Sequence, residues 1–195
     1  MGIDTSVASA WRDAFDRSTH GLIVVDYPHH EVHGGSSFTA SGTVDLGNGG
    51  TINIHVKTPN STKYPHATFS ITNELEAAIN LYEGFAPSGT ADGGTPGVAA
   101  SVWNRNRNSS TANTTLVYSG ATVGTAGTAS AGTLIWAYHH GGGSGAGRFG
   151  GEDRGISEWV LKANTQYLLQ IINATTSANY TAWEVDWYEH TNKES

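Results

Sequence analysis

The chain of 195 residues contains no cysteine, which excludes disulfide bonds, thiolate metal sites and a cysteine nucleophile. Basic residues are also scarce, because 10 Lys and Arg stand against 17 Asp and Glu, for a formal net charge of −7. Nucleic-acid-binding domains usually carry a basic balance or patch, so we expect no nucleic-acid partner. No apolar run approaches the roughly 20 residues of a membrane span. The first residues lack the basic start and apolar core of a signal peptide, so we expect neither membrane association nor export.

Glycine is abundant, with 25 residues, whereas only 14% of the residues are charged. Short apolar runs alternate with Gly-, Ser-, Thr- and Asn-rich turns along the chain, which is typical of strands. In "TINIHVKT" (51–58) the apolar residues are predicted to face inward and the polar ones, His55 among them, to face water. In "QYLLQIIN" (166–173) both alternating sets are apolar, which predicts a central strand. A further single strand is predicted over "GVAASVWNRN" (97–106). The fold class is therefore all-β, an antiparallel β-sandwich or jelly-roll-like domain.

The beginning of the chain differs from this pattern. Residues 1–17 are predicted to form a helical arm, in which Val7, Trp11 and Phe15 recur every four residues on one face. Trp11 and Phe15 either pack on their own domain or dock on another subunit. Residues 18–195 are predicted to form one β-sandwich domain, which begins with a buried strand in "HGLIVVDY" (20–27).

A histidine-rich segment follows in "DYPHHEVHGG" (26–35). If this segment continues as a strand, His29, Glu31 and His33 share one face and His30 lies on the other. Two imidazoles and a carboxylate can bind zinc or non-haem iron. The spacing of about 6.5–7 Å between same-face positions of a strand does not favour a shared ion. We therefore expect no metal or other cofactor, with the polar groups hydrogen-bonded at a strand end or an interface, and keep His29, Glu31 and His33 as the alternative metal set.

A second polar segment, "VWNRNRNSSTANTT" (102–115), alternates arginine with asparagine. Two arginines in an acidic chain offer too few phosphate contacts for nucleic-acid binding. Arg105 and Arg107 are instead predicted to tie loops together or to meet a partner's carboxylates.

Catalytic patterns are not evident. Glu184 and Asp186 lie on one face of the last predicted strand, but alternating acids are also typical of a solvated face. The sequence contains no Gly-x-Ser-x-Gly elbow. We expect a protein that is not an enzyme.

Five segments occur in a characteristic order over roughly residues 18–190: "DYPHHEVHGGSSF", "WNRNRNSS", "GTLIW" before a glycine-rich loop, "EWVLKANTQYLLQIIN" and "EVDWYEH". In this order they resemble a family of small virion proteins of tailed bacteriophages, commonly encoded next to the major capsid protein. The resemblance implies a head-decoration or capsid-cementing protein, with a β-sandwich body bound to the outside of the shell. It also implies a partner in the major capsid protein, a homodimer or homotrimer, and synthesis in the bacterial cytoplasm.

On this interpretation the capsid or subunit interface comprises two groups of residues. They are Trp11, Phe15, His29, His30, Glu31 and His33, with Arg105 and Arg107 as the second choice. The alternative is a carbohydrate-binding or tail-associated receptor-binding module of the same fold, with Trp103, Trp136 and Trp159 as its aromatic platform.

Overall fold

The computed structural model describes residues 27–87, 95–123, 131–140, 147–149 and 158–191. The predicted helical arm with Trp11 and Phe15, and residues 20–26 of the first predicted strand, lie outside these ranges. The described part contains one helix, α1 (Tyr27–Gly34), and twelve strands. The strands are β1 (Ser37–Leu46), β2 (Thr51–Lys57), β3 (Lys63–Asn73), β4 (Ala77–Glu83), β5 (Val98–Ala99), β6 (Trp103–Asn104), β7 (Leu116–Ser119), β8 (Thr133–His140), β9 (Gly147–Phe149), β10 (Trp159–Val160), β11 (Gln166–Asn173) and β12 (Asn179–Thr191).

The strands form two antiparallel sheets. The first sheet has the order β10-β3-β12-β1-β6, with β9 also paired to β3. The second sheet has the order β5-β7-β2-β11-β4-β8. From β1 to β4 the chain passes to the other sheet after each strand, so partners within a sheet are distant in sequence. The prediction of an all-β antiparallel sandwich is confirmed.

The core lies between the two sheets, because the inward residues of both belong to one buried cluster. Leu169 and Ile171 of β11 contribute from the second sheet, and Val185 and Trp187 of β12 from the first, all fully buried. The period-two pattern of β11 and β12 therefore predicts their inward residues correctly. The central position predicted for β11 is also confirmed, since β2 and β4 flank it.

The prediction that His55 faces water is wrong. The His55 side chain on β2 is 1% exposed, because Phe85 and Tyr118 cover it on the outer face of the second sheet. The Nδ1 atom of His55 lies 3.3 Å from the carbonyl oxygen of Pro96. Burial lowers the pKa of His55 below its ordinary value of 6.5, because the charged imidazolium loses its hydration there. Residues just beyond the strand ends, such as Phe85, therefore pack with Leu168 in a second, smaller apolar cluster on this sheet.

The single strand predicted over residues 97–106 is also wrong. The segment contains two short strands, and these belong to different sheets: β5 pairs with β7, and β6 pairs with β1. The chain crosses between the sheets at residues 100–102, which the local sequence pattern does not reveal.

No helix in the described ranges is long and apolar enough to cross a bilayer.

Candidate functional site

The segment predicted to be a histidine-rich strand is helix α1. Pro28 lies in its first turn, where a missing amide proton costs no helical hydrogen bond. The helix ends at Gly34, and the next residue, Gly35, has a φ of 75°, in the left-handed region. The amide of Gly35 donates to the carbonyl of Val32 (3.1 Å), and that of Ser36 to the carbonyl of Glu31 (3.1 Å), which is a Schellman motif. These start and stop signals outweigh the polar alternation, so the strand prediction is wrong.

The helix changes which side chains meet. His29 and His33, four residues apart, lie side by side with 3.0 Å between their Nε2 atoms. Glu31 points away from them, is 9% exposed, and accepts a hydrogen bond from the Ser36 hydroxyl. The exposed His30 has its Nδ1 atom 3.6 Å from a Glu31 carboxylate oxygen. The proposed metal set of His29, Glu31 and His33 is therefore not assembled, and no other group of three or more candidate metal ligands occurs in the described residues.

The second polar segment packs against this helix through its asparagines. The Asn104 side-chain amide donates to the carbonyl of Gly35 (2.8 Å), and that of Asn106 donates to the carbonyl of His33 (3.0 Å). The backbone amide of Asn106 donates to the Asn104 side chain (2.9 Å), which fixes the turn between them. The two segments quoted above therefore form one structure, which we call the α1 corner: helix α1, strand β6 and residues 105–115.

A buried carboxylate anchors the far end of the corner. Glu189 on β12 is 5% exposed and accepts hydrogen bonds from the backbone amides of Thr114 (3.0 Å) and Thr115 (2.8 Å). It also accepts from the Thr114 hydroxyl (2.6 Å) and from the indole Nε1 of the buried Trp187 (3.0 Å). All four of these groups are hydrogen-bond donors, so they stabilise the negatively charged form of the carboxylate. The residue was not predicted from the sequence, although its position there is a signal, because Glu189 falls on the apolar face of β12 with Val185 and Trp187 rather than on the face of Glu184 and Asp186.

The arginines have separate roles. The Nη1 atom of Arg105 lies 3.6 Å from an Asp186 carboxylate oxygen on β12, and the Arg105 side chain is 38% exposed. The guanidinium carbon of Arg107 lies 4.8 Å from the centre of the Trp103 ring, a cation–π contact. Trp103 is 54% exposed. The surface of the corner thus presents an aromatic ring, a cation and the exposed imidazoles of helix α1.

The three tryptophans considered as a carbohydrate platform do not share a face. Trp103 is on β6 and Trp159 on β10, at opposite edges of the first sheet. Trp136 is on β8, at an edge of the second sheet. Trp136 and Trp159 are partly buried and pack against the core. The three rings therefore cannot stack on one sugar chain as a flat platform.

An open groove of about 360 Å³ lies on the outer face of the first sheet. Its walls are mostly small hydroxyl-bearing side chains of β1 and β3, such as Ser41 and Ser70, and it contains one carboxylate, that of Glu184. Asp186 shares the face of Glu184, as predicted, but lies outside the groove lining, with the Nη1 atom of Arg105 3.6 Å from its carboxylate. The groove is thus open, with polar and apolar surface in nearly equal parts, Trp183 among its lining residues and a single acid in its wall.

Comparison with protein-family models and with curated proteins found no match to this chain.

Proposed function

We propose that this protein is a capsid decoration or cementing protein of a tailed bacteriophage, which binds the outside of the assembled head and stabilises it through protein–protein contacts. The observation that carries the proposal is the α1 corner, a rigid exposed surface built from two of the segments that bear the family resemblance. A protein that binds only the assembled shell stabilises it by mass action, and therefore needs contact area rather than chemistry.

The strand order supports the proposal. Four strands of the first sheet, in the order β1-β12-β3-β10, face four of the second, in the order β2-β11-β4-β8. Between β1 and β4 the chain alternates between the sheets, as in a jelly roll, a fold used by many viral capsid proteins and also by lectins. We therefore interpret the sandwich as jelly-roll-like. Lectins share the fold, so the fold alone does not favour the capsid over a carbohydrate.

The chemistry of the corner supports a protein partner. Interfaces are enriched in tryptophan and arginine near their centres, and the exposed Trp103 carries Arg107 against its ring. The hydrogen bonds of Asn104 and Asn106 hold the loop before binding, so docking orders few additional residues. Repetition over a symmetric shell multiplies a contact of standard size, roughly 1,600 Å² of total buried surface.

The proposal is tested with heads assembled from the major capsid protein of the phage whose genome encodes this chain. Purified protein is mixed with the heads, and occupancy is measured by sedimentation and by electron microscopy. We expect density on the outer surface at symmetry axes. We also expect Trp103→Ala to weaken binding about 30-fold, since a central tryptophan contributes at least about 2 kcal/mol.

The matched control is Val160→Ala. Val160 is 59% exposed, on β10 at the opposite edge of the same sheet. This variant should bind heads as the unsubstituted protein does. Heads that carry no copy would contradict the proposal, and equal loss in both variants would contradict the assignment of the corner as the contact surface.

A further inference from the structure

A second pair of histidines lies on the outer face of the first sheet. The register of β3 and β12 sets Tyr188 opposite His66, and His190 lies two residues further along β12 on the same face. The Nε2 atoms of His66 and His190 are 2.8 Å apart, and their ring centres are 4.4 Å apart. At this distance one Nε2 donates its hydrogen to the lone pair of the other, so without an ion a hydrogen bond joins the two rings, and an ion would take the place of the shared proton.

The carboxylate of Glu158, at the start of β10, fixes the orientation of the first ring. One of its oxygens lies 2.7 Å from Nδ1 of His66 and accepts a hydrogen bond from the Tyr188 hydroxyl (2.8 Å). When Nδ1 of His66 donates to this carboxylate, the lone pair of that ring is on Nε2, directed at His190. The ring of Tyr188 stacks on that of His66 at 4.8 Å and limits its rotation. Histidine with a carboxylate behind it is the usual arrangement of a metal ligand.

The distance between the nitrogens also fits a metal ion. Two nitrogens bound at about 2.0–2.1 Å from one ion, at a right angle, lie about 2.9 Å apart. This is the spacing of adjacent ligands in octahedral or square-planar coordination, the geometries of Ni²⁺ and Cu²⁺ sites rich in imidazole. The value of 2.8 Å is shorter than the roughly 3.4 Å of a tetrahedral zinc site.

We propose that His66 and His190 form a two-nitrogen binding site for a divalent transition metal ion, with Glu158 as the residue that orients His66. Binding requires His190 to carry its proton on Nδ1, so that both Nε2 lone pairs face the ion. No third side-chain ligand is assembled among the residues that the structure describes. This inference is independent of the capsid proposal.

The affinity expected of such a site is modest. With two protein ligands in place of the four of a structural zinc site, we expect a Kd on the order of 10 µM. For a pair of imidazoles the affinity should follow the order Cu²⁺, then Ni²⁺, then Zn²⁺. Mg²⁺, which prefers oxygen ligands, should not bind there.

The test uses untagged protein in which His29 and His33 are both replaced by alanine. The Nε2 atoms of His29 and His33 are 3.0 Å apart on the exposed surface of helix α1, so this pair could also bind the ion. Its removal prevents this competing binding and does not alter the pair on the sheet. Ni²⁺ is titrated by calorimetry, and the imidazole signals of ¹⁵N-labelled protein identify the rings that respond. We expect one ion per chain, with the signals of His66 and His190 affected together.

Further substitutions locate the site. His190→Gln and His66→Gln should each weaken Ni²⁺ binding at least tenfold, and Glu158→Gln about tenfold, because a second-shell partner contributes 10- to 100-fold. Circular dichroism confirms that each variant is folded, and His139→Gln, at an exposed histidine of the other sheet, should leave binding unchanged. Absence of binding at 1 mM Ni²⁺, or binding unaffected by His190→Gln, would overturn the proposal.

Discussion

Replacement of Glu189 by alanine offers the most direct test of how the α1 corner is held on the sandwich. The carboxylate accepts hydrogen bonds from two buried donors, the Thr115 amide and the Trp187 indole, and from the Thr114 amide and hydroxyl at the surface. Thr115 is 1% exposed and Trp187 is fully buried, so water cannot readily replace the lost acceptor at either donor.

The expected cost follows from those two donors. A buried donor left without an acceptor costs about 1–3 kcal/mol, so the two donors together should lower the free energy of unfolding of Glu189→Ala by about 2–6 kcal/mol. Water can still solvate the Thr114 amide, so this donor adds little. For a chain of this size the loss corresponds to a decrease of about 10 °C in Tm.

A more conservative variant separates the charge from the hydrogen bonds. In Glu189→Gln the remaining carbonyl oxygen can accept from the Thr115 amide and the Trp187 indole, while the new amide group can donate to the Thr114 hydroxyl. Only the contribution of the charge is lost, so we expect a cost of about 1 kcal/mol.

The assay is urea unfolding followed by tryptophan fluorescence and circular dichroism, with hydrogen exchange at the Thr114 and Thr115 amides as a local measure. The control is Glu184→Ala on the same strand, whose exposed carboxylate accepts one hydrogen bond, from the Thr39 hydroxyl (3.2 Å). This control should change stability by no more than about 0.5 kcal/mol. If Glu189→Ala were within 1 kcal/mol of the control and the two amides stayed protected, the anchoring role of Glu189 would be refuted.

Two more predictions concern helix α1 and the second sheet. Gly35→Ala should destabilise the protein by about 2–4 kcal/mol, because its φ of 75° strains any side chain and the new methyl group would collide with Ser109. In the control Gly34→Ala the new methyl group would lie 3.9 Å from the Ser36 hydroxyl oxygen, an ordinary contact, so the unfolding free energy should change by less than about 0.5 kcal/mol. Equal effects of the two substitutions in urea melts would show the Schellman turn to be unimportant. The second prediction rests on His55, whose pKa is lower in the folded protein than its ordinary value of 6.5. At pH values between these two pKa values the unfolded chain binds more protons than the folded chain. This residue therefore makes the protein less stable as the pH decreases through that range. His55→Phe should flatten this dependence in unfolding free energies measured from pH 7.5 to 5.5, and an unchanged slope would contradict it.

The sequence contains two kinds of local signal, the period-two alternation of strands and the residues that begin and end a helix. The strands β2, β11 and β12 were predicted because period-two alternation is written in consecutive residues. Helix α1 is also predictable, since Pro28 and Gly35 mark its ends, but the alternation of its polar residues is equally compatible with a strand. His55 does lie on the outer face of its sheet, but the expected exposure to water is wrong, because alternation gives the two faces of a strand without revealing what covers each face.

The candidate sites depended on the tertiary structure. The hydrogen bond between Asn106 and the carbonyl of His33 spans 73 residues, and the contact between His66 and His190 spans 124. Such contacts are set by strand register and sheet order, which the sequence does not state. The phage function stays a proposal based on resemblance and surface chemistry.

The sequence by itself determined the β class, the inward residues of the long strands and the acidic, cysteine-free character of the chain, because each of these is a property of composition or of neighbouring residues. Only the tertiary structure decided that the asparagines rather than the arginines attach residues 105–115 to helix α1, that Glu189 is buried among donors, and that two histidines of different strands converge. The physical reason is that the chain passes repeatedly between the two sheets. Side chains far apart in sequence therefore become neighbours only when the strands are in register.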